Sequence, residues 1–334
     1  MKAILNQLFE HQKLSADQAK EVLKKIADGA YNEAQVAAFI SVYLMRSISV
    51  DELKGFREAL LDLCIKVDVG DRQTIDVCGT GGDGKNTFNI STLSAFVIAG
   101  AGYQVTKHGN YGVSSLCGSS NVLEHLGLKF HNNVEGLIGQ LDDCNICFLH
   151  APLFHPAMKS VGPIRRQLGV KTFFNMLGPL VNPARPTHQM VGVFNLQLAR
   201  MYKYLMEDSD TQYSILHAID GYDEISLTGS VKVISKEEEL LVTPSYFSKP
   251  RYLPQEIFGG ETIDEAAQIF LKVLQNEGTQ AQKDVVVSNA AVGVKLFNPQ
   301  ASMAACILEA ETSIDSGEAY KCLQSSIEIS QKYS

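Results

Sequence analysis

Past Asp71 the chain changes rhythm, from helical periodicity alone to short apolar runs that alternate with helical stretches. That alternation constrains the fold most. Strand, helix and strand in succession bury their apolar faces best as a mostly parallel sheet covered by helices. The pattern predicts strands at 74–78, 104–107, 128–131, 145–149, 190–194 and 214–218, and closely spaced antiparallel edge strands around 231–247. Helices are expected at 92–99, 122–126, 134–142, 196–207, 264–277, 290–296, 302–311 and 318–331. Before Asp71, Ser15-Ala16-Asp17-Gln18 and Ser49-Val50-Asp51-Glu52 carry the capping-box signature of helix starts. Asn32 would cap a helix through Val36, Phe39, Ile40, Tyr43 and Leu44 that is apolar nearly all round. Such a helix must be covered on several sides, by bundle neighbours or by a second subunit. The expected class is α/β: a small helical domain, 1–70, and a larger domain, 71–334, with a mostly parallel sheet flanked by helices.

The net charge of −8 argues against a nucleic-acid coat or a membrane-surface binder, so an anionic ligand needs local cations and backbone N–H donors. No run approaches the ~20 apolar residues of a membrane-spanning helix. Met1 to Leu14 mixes Lys2, Asn6, Gln7 and Glu10 into its apolar residues, unlike a signal peptide. Seven scattered cysteines, mostly in apolar runs, read as reduced thiols in a cytoplasmic protein. The lone Cys144-Asn145-Ile146-Cys147 falls in a strand-like stretch, 144–149. Residues three apart on a strand face opposite sides, which disfavours zinc.

The first expected strand runs into Gly79-Thr80-Gly81-Gly82-Asp83-Gly84-Lys85-Asn86-Thr87-Phe88-Asn89-Ile90-Ser91-Thr92. Glycines let a backbone approach phosphate, and a helix start near Ser91 would aim N–H groups at it. Gly79, Gly81 and Gly84 fit the dinucleotide fingerprint. The helix starts late for that motif, however, and the next strand ends in Lys107-His108 rather than in an acid for a ribose hydroxyl. Gly79 to Asn86 nearly fits the Walker loop, but Asn86 stands where magnesium needs a hydroxyl. The third reading takes the whole constellation. Lys107 supplies a cation, Ser114, Ser115 and Ser119 supply hydroxyls, and Asp223-Glu224 supply hard oxygens suited to magnesium. Those parts suit a magnesium-bound, diphosphate-bearing substrate.

With Asn89-Ile90-Ser91-Thr92, Lys107-His108-Gly109-Asn110, Gly118-Ser119, His155-Pro156-Ala157-Met158, Arg165, Asn175-Met176-Leu177-Gly178-Pro179 and Asp223-Glu224 in this order, the chain resembles the anthranilate phosphoribosyltransferases over essentially its full length. The resemblance implies a helical domain with added helices from about 160–185, an α/β domain, and a homodimer joined through the helical domain. It implies transfer of the phosphoribosyl group of PRPP to the amino group of anthranilate, with Mg2+ as cofactor, in tryptophan biosynthesis. PRPP would be held by Gly79, Gly82, Asp83, Thr87, Asn89, Ile90, Ser91, Thr92, Lys107, His108, Gly109, Asn110, Tyr111, Gly112, Val113, Ser114, Ser115 and Ser119. Lys107 and His108 would act at the reacting centre. Ser91, Asp223 and Glu224 would ligate the metal, and Gly79, Asn110 and Arg165 would take anthranilate. Arg166 reads as a surface arginine.

Two positions depart from the family pattern. Tyr111 stands where a basic residue usually follows the Lys-His-Gly-Asn run, and Asn121 stands in place of an Asp. The rival readings are a nucleoside phosphorylase, disfavoured because the two glycine-bearing runs are separate here, and a non-catalytic nucleic-acid-binding relative. The acidic balance and intact Asp223-Glu224 and Arg165 disfavour the second.

Overall fold

The computed structural model describes residues 1–112 and 117–333. The chain forms two compact units, the first from 1–67 and 151–185, the second from 68–150 and 186–334. No helix among the described residues is long and apolar enough to cross a membrane.

The first unit opens with helices Lys2–Phe9, Ala16–Ala27, Glu33–Met45 and Val50–Leu63. The last three begin at Ser15, Asn32 and Ser49, each with a reciprocal capping box, so the sequence signature corresponds to the expected hydrogen bonds. Helix Glu33–Met45 buries Val36, Phe39, Ile40, Val42 and Tyr43. Phe39 and Tyr43 pack edge-on against Phe56, which stacks on Phe173 at 4.6 Å between ring centres. The same helix leaves Leu44 and Met45 exposed, as Phe9 is on the first helix. Glu52 is fully buried: its carboxylate accepts from Arg46, Tyr43 Oη and the Leu14 and Ser49 N–H groups. Together they hold the carboxyl below its usual range despite burial.

The second unit is a seven-stranded sheet. Its strands are β1 (Thr74–Val77), β2 (Gln104–Gly109), β3 (Ile146–His150), β4 (His188–Gly192), β5 (Gln212–Ala218), β6 (Val231–Ser235) and β7 (Glu239–Val242). The order is β3-β2-β1-β4-β5-β6-β7, with β1 to β5 parallel and β6 and β7 an antiparallel edge. Every residue of β1, β3 and β4 is buried, as expected of central parallel strands covered on both faces. Helix Ile90–Gly100 buries nearly its whole surface, and helix Gln280–Phe297 packs beside it.

Some local expectations fail for identifiable reasons. Residues 128–131 form no strand: β2 already pairs with β1 and β3, and the Lys129 N–H donates to Ser330 Oγ instead. The stretch 144–149 is not one strand. Cys144 ends helix Val134–Cys144, Asn145 turns the chain at φ +58°, and β3 starts at Ile146. The edge strands stop at Val242, and Pro244–Phe247 is a 3-10 turn.

Candidate active site

Strand order reverses between β1 and β4, and in open α/β sheets ligands bind beyond the carboxyl ends of the strands at such a point. The glycine loop starts there. Cys78 N–H donates to Met190 O at 3.2 Å and Thr80 N–H to Gly192 O at 2.9 Å, so the loop leaves β1 alongside β4. Gly81 and Gly82 turn at φ +63° and +78°, a region that side chains resist. The turn aims the Gly81 N–H at Asp223 Oδ2, 2.8 Å away, and the Ser91 N–H, in the first turn of helix Ile90–Gly100, donates to Glu224 Oε1 at 2.9 Å. Asp223 and Glu224, in the loop after β5, are thus held by the backbone of the glycine loop and of the helix that follows it.

Burial and the nearby Asp83 carboxylate push the Asp223 carboxyl up to about 7, and burial with the Asp223 charge raises Glu224 well above its usual range. Neither forms an ion pair among the described residues. Oxygen donors crowded this way fit a hard divalent cation, which would relieve their repulsion. No group of three or more acidic, His or Cys side chains forms a ready metal cage among the described residues. That suits an ion that takes its remaining ligands from phosphates and water.

The close approach depends on two glycines. A Cβ on Gly79 would lie 2.7 Å from Asp223 Oδ2, and one on Gly192 only 1.4 Å from the Asp223 carbonyl oxygen. Sequence reasoning missed Gly192, although a glycine at a strand's end is a signal of close backbone approach. Gly192→Ala is expected to cost about 1–3 kcal/mol of stability and about tenfold in turnover, because the loop carrying Asp223 must shift. Thermal melts beside initial rates check this; an unchanged rate would show that the loop adapts.

Lys107 and His108 are strand residues, since β2 runs on to Gly109, and both are buried. Lys107 Nζ donates to Val77 O at 2.5 Å, which brings its charge to the end of β1, and the His108 N–H donates to the buried Asp76 carboxylate at 3.1 Å. The Cys78 thiol, pushed up to about 12 mainly by burial, also feels the charges of Asp76, Lys107, Asp223 and Glu224. The cation and the two carboxylates therefore share one electrostatic neighbourhood.

Asn110 O accepts from Ser119 Oγ at 3.3 Å and, more weakly, from Ser120 N–H at 3.4 Å. Asn89 Nδ2 donates to Cys117 O. Thr87 bridges to Phe258, and Ile90 is buried, so its side chain belongs to the core. Thr92 Oγ1 is buried with no hydrogen-bond partner among the described residues. Val113, Ser114 and Ser115 lie outside the described residues. Asn121 Oδ1 accepts from both Gly112 and Gly118 N–H, a task an Asp could share, which gives this departure a structural reading.

Arg165 lies in the first unit, on helix Met158–Leu168. Its guanidinium sits 5.3 Å from the Phe174 ring centre and donates to Asn175 Oδ1 at 3.3 Å, a long contact. Burial lowers its pKa, and no carboxylate pairs with it among the described residues. Arg166 is exposed.

Comparison with known proteins accounts for both units. The model of a glycosyl transferase family, a/b domain, matches residues 71–320, and that of its helical bundle domain matches 2–64. The anthranilate phosphoribosyltransferase of Cytophaga hutchinsonii is 52% identical over 327 residues, 98% of this chain and 100% of that protein. The chain belongs to the anthranilate phosphoribosyltransferase family. Another family member, from Flavobacterium johnsoniae, is 54% identical over 330 residues, 99% of this chain and 100% of its own. The crystal structure of anthranilate phosphoribosyltransferase from Thermus thermophilus matches with a TM-score of 0.89 at 30% identity, covering 98% of this chain and 99% of that one. The Saccharomyces cerevisiae anthranilate phosphoribosyltransferase in complex with PRPP and Mg matches with a TM-score of 0.91 at 27% identity, covering 98% and 97%.

Proposed function

We propose that this chain transfers the phosphoribosyl group of PRPP to the amino group of anthranilate, giving N-(5-phosphoribosyl)anthranilate and pyrophosphate in tryptophan biosynthesis. The observation that carries the reading is the Asp223–Glu224 pair, held by glycine-loop and helix-start N–H groups at the carboxyl ends of the parallel strands. The yeast relative was solved in complex with PRPP and Mg, which supports Mg2+ as the cofactor here. The nucleoside phosphorylase reading is not favoured by relatives of this similarity.

In this reading the bond from the ribose anomeric carbon to pyrophosphate breaks as the amine nitrogen bonds to that carbon, and the amine proton then passes to the released pyrophosphate or to water. Asp223, Glu224 and the Ser91 hydroxyl would hold Mg2+, which supplies positive charge to the departing pyrophosphate. Gly79, Gly82, Asp83, Thr87, Asn89, Ser91, Thr92 and the run from Lys107 through Asn110 at the end of β2, with Gly112 and Ser119, hold PRPP; Ile90 contributes only backbone. Lys107 and His108 bring a fixed cation and an imidazole to the reacting end. Arg165, with no acidic partner among the described residues, takes the anthranilate carboxylate, and Gly79 and Asn110 contact the acceptor. Positioning and preorganised charge supply most of the acceleration.

We assign the helical domain to residues 1–70 with the added 160–185 helices, and the α/β domain to the rest. A homodimer through the helical domain is supported by the exposed Phe9, Leu44 and Met45; a monomer in sedimentation would reject it. A cytoplasmic location is supported by seven cysteines that all remain free thiols. The reaction is tested by anthranilate fluorescence in the presence of PRPP and Mg2+. The chain has no tryptophan to interfere. Signal should disappear only when both additions are present, and a signal that persists although PRPP binds would point to another acceptor.

A further inference from the structure

Tyr111 follows the strand end assigned above to PRPP, at a position where a basic residue is expected, and its side chain has a built environment. Its ring meets the His150 ring edge-on, with centroids 4.7 Å apart, and its hydroxyl donates to Glu124 Oε1 at 2.9 Å. His150 is itself fixed. It ends β3, directly opposite Gly109 in the ladder, its Nδ1 lies 2.9 Å from Ser120 Oγ, and its ring stacks on Phe130 at 4.5 Å. Ser120 and Glu124 both belong to helix Ser119–His125. The turn is tied to the start of that helix a second time, through Asn121 Oδ1 on the Gly112 N–H and through Asn110 O. The cluster therefore joins the end of β2, the end of β3 and the helix that carries Ser119.

We propose that Tyr111 is a positioning residue, its ring on His150 and its hydroxyl on Glu124 clipping the Asn110–Gly112 turn so that the strand-end groups stay where PRPP needs them. The inference rests on the phosphoribosyl reading above. The side chain acts through packing and one hydrogen bond, and contributes no charge to the phosphates.

Removing the clip frees the turn in the empty protein, so binding bears the cost. Loss of the aromatic pair and of one hydrogen bond should weaken PRPP binding about tenfold in Tyr111→Ala and about threefold in Tyr111→Phe, which keeps the ring. Calorimetric titration with PRPP and Mg2+ reads this directly. The KM for PRPP should rise in parallel while kcat stays within about twofold, since the bound complex re-forms the turn. Tyr111 is 40% exposed, so both variants should fold. The His150 ring-proton resonance should also move in Tyr111→Ala without any substrate, because the neighbouring aromatic ring is gone. Tyr111→Ala binding PRPP as tightly as the wild type would overturn the proposal, and so would an unmoved His150 resonance. If the wild type itself binds no PRPP, the phosphoribosyl reading falls and takes this inference with it, an outcome distinct from the other two.

Discussion

Replacing Asp223 with Asn and Glu224 with Gln together should lower kcat/KM by roughly a thousandfold and abolish its dependence on Mg2+. The same substitutions should stabilise the metal-free protein. Burial and the Asp83 charge raise the Asp223 carboxyl from its ordinary 3.8 to about 7, and Glu224 shifts the same way. Between those values the folded chain binds more protons than the unfolded chain. Stability is therefore greatest at the acid end of the window and is lost as pH rises through about 7. A series of melts without metal, from about pH 5 to about pH 8, should show the wild type losing stability and the double variant losing far less. Adding Mg2+ should flatten the wild-type slope as well. Wild-type melts independent of pH over that range would show that the carboxylates are not crowded as described. A double variant still dependent on Mg2+ would move the metal elsewhere.

Arg165→Ala should raise the KM for anthranilate roughly a hundredfold and leave PRPP affinity unchanged. A guanidinium with no carboxylate partner among the described residues can form two charge-assisted bonds to the substrate carboxylate, each worth about 1.5 kcal/mol, and about 1.4 kcal/mol is a factor of ten. Arg165→Lys should fall in between, because an ammonium keeps the charge but loses the planar fork. Arg166→Ala, on an exposed neighbour, is the control and should behave as wild type. Steady-state kinetics varying anthranilate at saturating PRPP decide it. A KM within about twofold of wild type for Arg165→Ala would remove this arginine from the acceptor site.

Local chemistry made much of the fold readable in advance. Ser15 with Gln18 and Ser49 with Glu52 mark helix starts because each side chain satisfies the other residue's backbone donor, whatever the rest of the chain does. Alternating apolar runs mark β1, β2, β4 and β5 because central parallel strands are buried on both faces. Failures came where partners distant in sequence decide the outcome. Residues 128–131 are apolar enough for a strand but have no sheet edge to join. Helix Gln280–Phe297 extends well before the expected 290–296, because Asp284, Ser288 and Asn289 break the apolar pattern yet are buried. Asn289 exchanges hydrogen bonds with the backbone of Ile225, just after the acidic pair. In the site, the glycine loop and Asp223-Glu224 stand out by residue type alone. Lys107 buried against Val77 O, Gly192 pressed on Asp223 and His150 beneath Tyr111 are relations between segments distant in sequence, which no linear spacing expresses.

The helical unit is drawn from two stretches of chain, and its aromatic core straddles them: Phe39, Tyr43 and Phe56 come from the first, Phe173 from the second. On the ribosome the first four helices emerge well before the ring that completes their packing, with the first three parallel strands made in between. The order of synthesis is thus not the order in which this core can close. The N-terminal helices must wait as an open half-core, and a gene fragment cut at the visible change of rhythm near Asp71 would encode that half-core rather than a finished domain.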